Sequence, residues 1–237
     1  MDPNESAERA VLARIFQRFP HSFVWIGGSV LQLIHRSART SHDLDLTPTG
    51  ELPLPSGLQT EINNALIEWN GLEVQSFALE ENASPSDFKR FTVTNQGKHA
   101  FTIDIVRMGG ASLSGTHTVL LSSSLGSATV VIPNDSTLLD QKVKAFLLRT
   151  YPKPGDLYDI WFLLDRGVKL SPVEREALAD ALEFAEIDRE TALARLNRFS
   201  NSKWIGALER SGVHRLTAES ASKVVDAARV LIEEVLP

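Results

Sequence analysis

Two glycines and a serine, Gly27-Gly28-Ser29, close the apolar run Phe23-Val24-Trp25-Ile26, and Asp43-Leu44-Asp45-Leu46 follows within one short helix. These types and spacings suit a nucleotide, with its phosphates at the first element and their metal ions at the second. Phe23 to Ile26 reads as a buried strand, and glycines let the backbone turn sharply and come close to a ligand. Ser29 opens an apolar-periodic run, Val30, Leu31, Leu33 and Ile34, which puts it at a helix N-terminus. Free N–H groups and the positive end of the dipole favour an anion there. On the second strand, alternation sends Leu44 and Leu46 to the core and Asp43 and Asp45 together to the other face. Two carboxylates on one polar face are oxygen ligands suited to Mg²⁺ or Mn²⁺.

A Gly-Gly-Ser turn alone fits any tight turn, and D-x-D alone fits the solvated face of an edge strand. Their combination is more specific, because Arg39, Ser41, Asp43 and Asp45 alternate on the approach to the strand. The segment Gly27-Gly28-Ser29…Arg39-x-Ser41-x-Asp43-Leu44-Asp45 resembles the signature of the polymerase-β-like nucleotidyltransferases. In detail it is most similar to the AbiEii/AbiGii-type nucleotidyltransferase toxins. A second block, Asp140 to Arg149 and then Asp156-Leu157-Tyr158-Asp159-Ile160-Trp161, resembles that family's K-x-x-A-x-x-x-x-R and R-D-[LF]-Y-D-[LI]. Gly155 stands where the family has arginine; either Lys153 replaces that charge or the contact is lost. The resemblance runs over residues 20–165.

That resemblance implies an α+β fold, a mixed nucleotidyltransferase-like sheet with flanking helices, followed by a helical C-terminal region. It implies metal-dependent transfer of a nucleotidyl group from an NTP, ATP among the candidates, to an acceptor. By the same analogy the acceptor is the 3′ end of tRNA and an antitoxin is the partner. Asp43, Asp45 and Asp104 would hold Mg²⁺ or Mn²⁺. Gly27, Gly28, Ser29, Arg39 and Lys142 would hold the nucleotide, with Lys142 and Asp156 completing the catalytic set. Two alternatives stay open: an enzyme modifying a small-molecule hydroxyl, and a non-catalytic nucleotide-binding module.

The remaining polar residues divide by periodicity. In Phe101-Thr102-Ile103-Asp104-Ile105 the isoleucines face one side and Thr102 and Asp104 the other, so Asp104 can share the face of Asp43 and Asp45. It reads equally as an exposed strand aspartate. At about 100° per residue, Leu139, Val143, Phe146 and Leu147 form a buried helix face. Lys142 and Arg149 lie together on its shoulder, while Lys144 points away to solvent. Asp156 flanks the apolar face Leu157, Ile160, Trp161 and Leu164, and Asp159 lies further round. Asp156 also fits a first-turn carboxylate favoured by the dipole after Pro154. The six histidines form no metal-ligand spacing, and no hydrolase nucleophile motif occurs.

Bulk properties set the frame. The chain has 237 residues, 43% of them hydrophobic, which is globular composition. It holds no cysteine. No run approaches the roughly 18 apolar residues of a membrane span, and the acidic start Met1-Asp2-Pro3-Asn4-Glu5 is no signal peptide. A cytoplasmic protein is the expectation. The net charge of −6 argues against a broad nucleic-acid surface. A local basic groove for RNA would draw on Lys142, Arg149, Lys153, Arg189, Arg195, Arg198 and Lys203, which fit solvated helix faces as well.

A helix over residues 5–18 precedes the glycine turn, Pro48, Pro53, Pro55 and Gly57 mark a loop, and residues 58–69 read as helix. Strands are expected at 73–79, at 88–94 and 99–106 as a hairpin around Asn95-Gln96-Gly97, and at 128–133. Residues 112–127 read as a Ser/Gly/Thr loop with one short strand at 119–121. From residue 136 onward the pattern is helical. Residues 1–135 are thus expected to form the catalytic region and 136–237 a helical region completing an active-site cleft.

Overall fold

Asp2 accepts a hydrogen bond from the Asn4 N–H at 3.1 Å, and Pro3 follows at the first helical position, so α1 (Pro3–Arg18) starts where a cap and a proline direct it. The computed structural model describes residues 2–50, 54–73, 77–81, 88–106, 115–199, 203–210, 213 and 218–236. Contacts divide the chain into two units, Met1–Leu33 with His42–Pro133, and Ile34–Ser41 with Asn134–Pro237. The expectations for Pro53, residues 74–76 and 112–114, and the Lys203 side chain fall outside the described residues.

The first unit continues with β1 (Phe23–Ile26), α2 (Gly28–Leu33), β2 (Asp43–Pro48) and α3 (Leu58–Glu73). β3 (Phe77–Glu81), β4 (Phe88–Asn95), β5 (Lys98–Val106), β6 (Thr116–Ser123) and β7 (Gly126–Pro133) follow. Five strands form one sheet in the order β1-β2-β5-β4-β3. Only β2 and β5 pair in parallel, so the sheet is mixed as expected. Its register sets Leu44 beside Ile103 and Ile103 beside Phe91, with Leu46 beside Ile105. These side chains are fully buried or nearly so. The apolar face they form is what fixes the pairing, since a one-residue slip would turn it to solvent. α1 packs on α3 and along β6 and β7.

The β4–β5 hairpin turns on Gln96 and Gly97, both at positive φ (51° and 73°), as a two-residue turn of this kind requires. Two strand expectations change. β3 begins at Phe77 rather than at residue 73. β6 is an eight-residue strand, not a loop with a three-residue strand, and pairs with β7 along its whole length. Its serines and threonines lie on a two-stranded ribbon that is largely exposed, which makes strand composition look like loop composition.

In the second unit, α4 (Asp135–Leu148), α5 (Pro154–Asp165), α6 (Pro172–Phe184), α7 (Arg189–Asn197), α8 (Lys203–Arg210) and α9 (Ala218–Val235) follow the segment Ile34–Ser41. α4 buries Leu139, Val143, Phe146 and Leu147, as its periodicity implies. α6 opens with a capping box of Ser171 and Glu174, and the Glu174 carboxylate also takes the hydroxyls of Ser136 and Thr137. α5 departs from the one-sided pattern. Gly155 through Ile160 are all buried, because α4, α8 and α9 pack around it. Trp161 and Leu164 are only half-buried, and Leu163 takes the core position instead. No helix among the described residues is long and apolar enough to cross a membrane.

An acid of α1 lies inside the first unit. Glu8 on α1 is 2% exposed, and its Oε2 has no hydrogen-bond partner among the described residues. Burial first, then the charges of Glu5, Asp2 and Asp43, push its pKa from 4.5 to about 8, against a smaller opposing pull from Arg9. The folded state therefore holds this proton more tightly than the unfolded chain does. Stability is highest below the unfolded value and falls as pH rises from 4.5 to about 8. Glu8→Gln should remove this decline, of up to about 1.4 kcal/mol per pH unit. Urea unfolding at a series of pH values checks it: the variant gains on wild type at pH 8 and not at pH 4.

Candidate functional site

Residues paired across a sheet point to one side, so the register of β2, β5 and β4 defines a polar face opposite the apolar one. One row across it is Asp45, Asp104 and Arg90; the next is Asp43, Thr102 and Thr92. Asp43 and Asp45 are half-buried while Leu44 and Leu46 are buried, the alternation expected of the strand. The Thr102 hydroxyl donates to Asp43 Oδ1. Asp45 is set from the other side by the glycine turn. Gly27 lies at φ +86°, and a Cβ there would collide with Asp45 Oδ2. A glycine at this position is thus required twice, by backbone conformation and by the carboxylate packed on it.

Asp104 shares the face of Asp43 and Asp45, but it does not complete a three-carboxylate set. Arg90 donates from Nε to its Oδ1 at 2.7 Å and from Nη2 to its Oδ2. The hydrogen bond that Arg90 donates to Asp104 raises the guanidinium's pKa most, against a smaller loss from burial, and Asp43 and Asp45 add to it. Arg90 therefore senses all three acids. Among the described residues no group of three or more His, Cys, Asp or Glu is arranged to hold a metal. Asp43 and Asp45 by themselves fit Mg²⁺, which commonly binds through one or two carboxylates and completes its shell with water and phosphate.

Ser29 is fully buried, and its Oγ accepts from the Trp25 indole N–H at 2.9 Å. The hydroxyl expected to meet phosphate instead ties β1 to the first turn of α2. Gly28 opens that short helix and is buried.

The second motif forms a chain of alternating charge within the second unit. Arg39 donates from Nε and Nη2 to the two oxygens of Asp159, each at 2.8 Å. Lys142 Nζ lies 2.8 Å from Asp159 Oδ2 and 3.5 Å from Asp156 Oδ1. Arg149 pairs with Asp156 Oδ2. Burial would raise the Asp159 carboxyl, but Lys142 and Arg39 outweigh it and hold the group below the usual carboxylate range. Lys142 lies on α4, whereas Arg149 is the extended residue that caps its end rather than part of the helix. The two meet at Asp156 and not by helical phase, and Lys144 turns elsewhere, to Asp140 at 2.9 Å. The sequence pattern underrated Asp159, which is the fully buried centre of the cluster.

Arg39 was expected at a nucleotide; here its nitrogens go to Asp159 and, from Nη1, to the Thr40 carbonyl at 3.3 Å. The same Nη1 would lie 3.3 Å from a Cβ on Gly155. Gly155 thus leaves the space that Arg39 fills, and the positive charge beside this helix turn comes from Arg39. Lys153, the other candidate for that charge, is exposed.

Of the cations expected to line a basic groove, Lys142 is buried in this cluster and Arg149 is paired there. Arg195 donates to the carbonyls of Leu147 and Arg149 at the end of α4, and Arg189 lies 3.4 Å from Glu233. Arg90 and Thr102 were missed by sequence reasoning. The signal for Thr102 was present, since it alternates in phase with Asp104; Arg90 depends on strand register.

A family model described as nucleotidyl transferase AbiEii toxin, type IV TA system, matches residues 10–225. None of the curated proteins matches the chain. Among solved structures, a candidate nucleotidyltransferase from H. pylori aligns with a TM-score of 0.57 and 16% identity, covering 98% of this chain and 94% of that one. The protein JHP933 from Helicobacter pylori aligns at 0.57 and 14%, covering 98% and 91%. MenT4, a nucleotidyltransferase toxin from Mycobacterium tuberculosis, aligns at 0.50 and 13%, covering 98% and 90%. These likenesses establish a nucleotidyltransferase-like fold.

Two expectations follow from the geometry. Asp159→Asn leaves Lys142 and Arg39 facing a neutral group in a buried site and should cost about 3–5 kcal/mol, read from denaturant unfolding. In the wild type this carboxylate stabilises the fold above the ordinary carboxylate pKa, and its contribution is lost as pH falls below that value towards the lower folded one. Gly27→Ala meets both the positive φ and Asp45. It should lower stability by at least about 1–2 kcal/mol, with the Asp45 carboxylate displaced.

Proposed function

We propose that this chain, which belongs to the AbiEii nucleotidyltransferase toxin family, transfers a nucleotidyl group from an NTP to an acceptor hydroxyl at the sheet face bearing Asp43 and Asp45. The observation that carries this reading is the pair itself: two half-buried carboxylates side by side, one braced by Thr102 and the other by the Gly27 turn. Asp43 and Asp45 would hold Mg²⁺ or Mn²⁺. When bound, such an ion supplies charge neutralisation at the α-phosphate and leaving pyrophosphate and acidifies the acceptor hydroxyl.

The protein's own contribution is placement. Thr102 orients Asp43, and Gly27 keeps side-chain bulk away from Asp45, so that phosphates can approach the Gly27-Gly28 backbone. Lys142 acts by positioning. It joins Asp156 to Asp159, and Asp156 in turn holds Arg149, whose side chain is 43% exposed. Membership of a type IV toxin–antitoxin family implies an antitoxin partner. The acceptor in this reading is the 3′ end of tRNA, an inference from family analogy.

Incubating the purified protein with Mg²⁺, each labelled NTP and total tRNA tests the proposal, with labelled tRNA as the expected product. Label appearing only on small hydroxyl compounds would assign a small-molecule transferase. NTP binding without transfer would assign a binding module. Asp43→Asn and Asp45→Asn should each reduce transfer by at least about a hundredfold while leaving the melting temperature nearly unchanged, since both side chains face away from the core. Near wild-type transfer by either variant would show the metal pair to be misassigned.

A further inference from the structure

Beside Asp43 and Asp45 the polar face carries Asp104 and Arg90, and the arginine decides what this third acid does. Asp104 is 6% exposed, and both its oxygens receive Arg90 N–H groups in a fork. Bidentate guanidinium–carboxylate pairs are among the stronger and more directional polar contacts. Undoing this one would leave a nearly buried carboxylate short of its partner. Arg90 itself is 44% exposed and sits in the same cross-strand row as Asp104 and Asp45. The result is a fixed cation beside the Asp43–Asp45 pair.

We infer that Asp104 is not a metal ligand but the anchor of Arg90, and that the guanidinium so held binds nucleotide phosphate next to a single divalent cation on Asp43 and Asp45. The inference rests on the nucleotidyltransferase reading above and assigns its parts differently from a three-carboxylate site. Asp104 is a positioning residue. Arg90 supplies, in planar fork form, the positive charge that a second cation shared with Asp104 would otherwise bring. Arginine suits the task because its charge is permanent and its donors match phosphate oxygens.

The two roles separate in binding measurements that need no turnover. Mn²⁺ binding and NTP binding are titrated separately on the full chain and on Asp45→Asn, Asp104→Asn, Arg90→Lys and the double variant Arg90→Gln/Asp104→Asn. The double variant removes both charges together, so no orphaned ion is left to unfold the sheet. Asp45→Asn should weaken Mn²⁺ binding by at least about tenfold, roughly 1.4 kcal/mol. Asp104→Asn should leave it within about threefold of wild type, under about 1 kcal/mol. The double variant should bind Mn²⁺ at least as well as Asp104→Asn yet bind NTP about tenfold more weakly, with Arg90→Lys recovering part of that loss. A merely structural pair would move both ligands together, which would overturn the inference. So would an Asp104→Asn variant as defective in Mn²⁺ binding as Asp45→Asn. Wild-type protein that binds no Mn²⁺ would overturn the metal reading itself and this inference with it, a result distinct from the other two.

Discussion

The parallel pairing of β2 with β5 is the constraint on which the candidate site depends. Every other neighbour pair in the five-stranded sheet is antiparallel, and this one places Asp43 against Thr102 and Asp45 against Asp104. The pairing is held by the opposite face, where Leu44, Leu46, Ile103 and Ile105 are buried. Hydrophobic burial at about 25 cal/mol per Å² of apolar surface thus sets the alignment of charged groups that contribute little to it. The Asp43–Asp45 pair is a by-product of packing on the far side of the same strands. Polar contacts then trim the geometry: Thr102 on Asp43, and Asp45 against the side-chain-free Gly27.

The second motif is built on the opposite principle, with charge taken into the interior. Arg39, Asp159, Lys142, Asp156 and Arg149 alternate in sign, and Asp159 has no exposed surface. Such a chain is weak evidence for net stability, because desolvation offsets much of the attraction. What it does provide is mutual dependence, since no one member can be removed without leaving its neighbours uncompensated. That suits a framework holding a few side chains in one arrangement, on a helix whose first two turns are buried by the packing of α4, α8 and α9.

Membership of the family and the mixed sheet agree with what the motifs implied, yet several individual assignments moved. Ser29 and Arg39 each make contacts within the protein, to Trp25 and to Asp159, that the motif did not foretell. Asp159, rather than Asp156, occupies the centre of the helical cluster. These shifts share a cause. A motif records which residues recur together, and a polar residue recurs as readily for supporting a neighbour as for touching a substrate.

Periodicity within single elements was legible from the sequence alone. It determined that Asp43 and Asp45 share a face, that Asp104 lies in phase with Thr102, that Leu139, Val143, Phe146 and Leu147 form the buried face of α4, and that Gln96-Gly97 is a hairpin turn. Each follows from the fixed rotation per residue of one strand or helix, or from the backbone angles of two residues. Which elements lie side by side was decided only by the tertiary structure. Arg90 shows the difference most clearly. Counting evenly back from the turn, where Asn95 meets Lys98 and Thr94 meets His99, would set Arg90 opposite Ile103. A bulge between Val93 and Thr94 shifts the register, so that Phe91 meets Ile103 and Arg90 meets Asp104. The physical reason is that burying Phe91, Val93, Phe101 and Ile103 on one face outweighs one irregular step in the ladder. That balance is set by the whole sheet, and no local pattern in the chain records it.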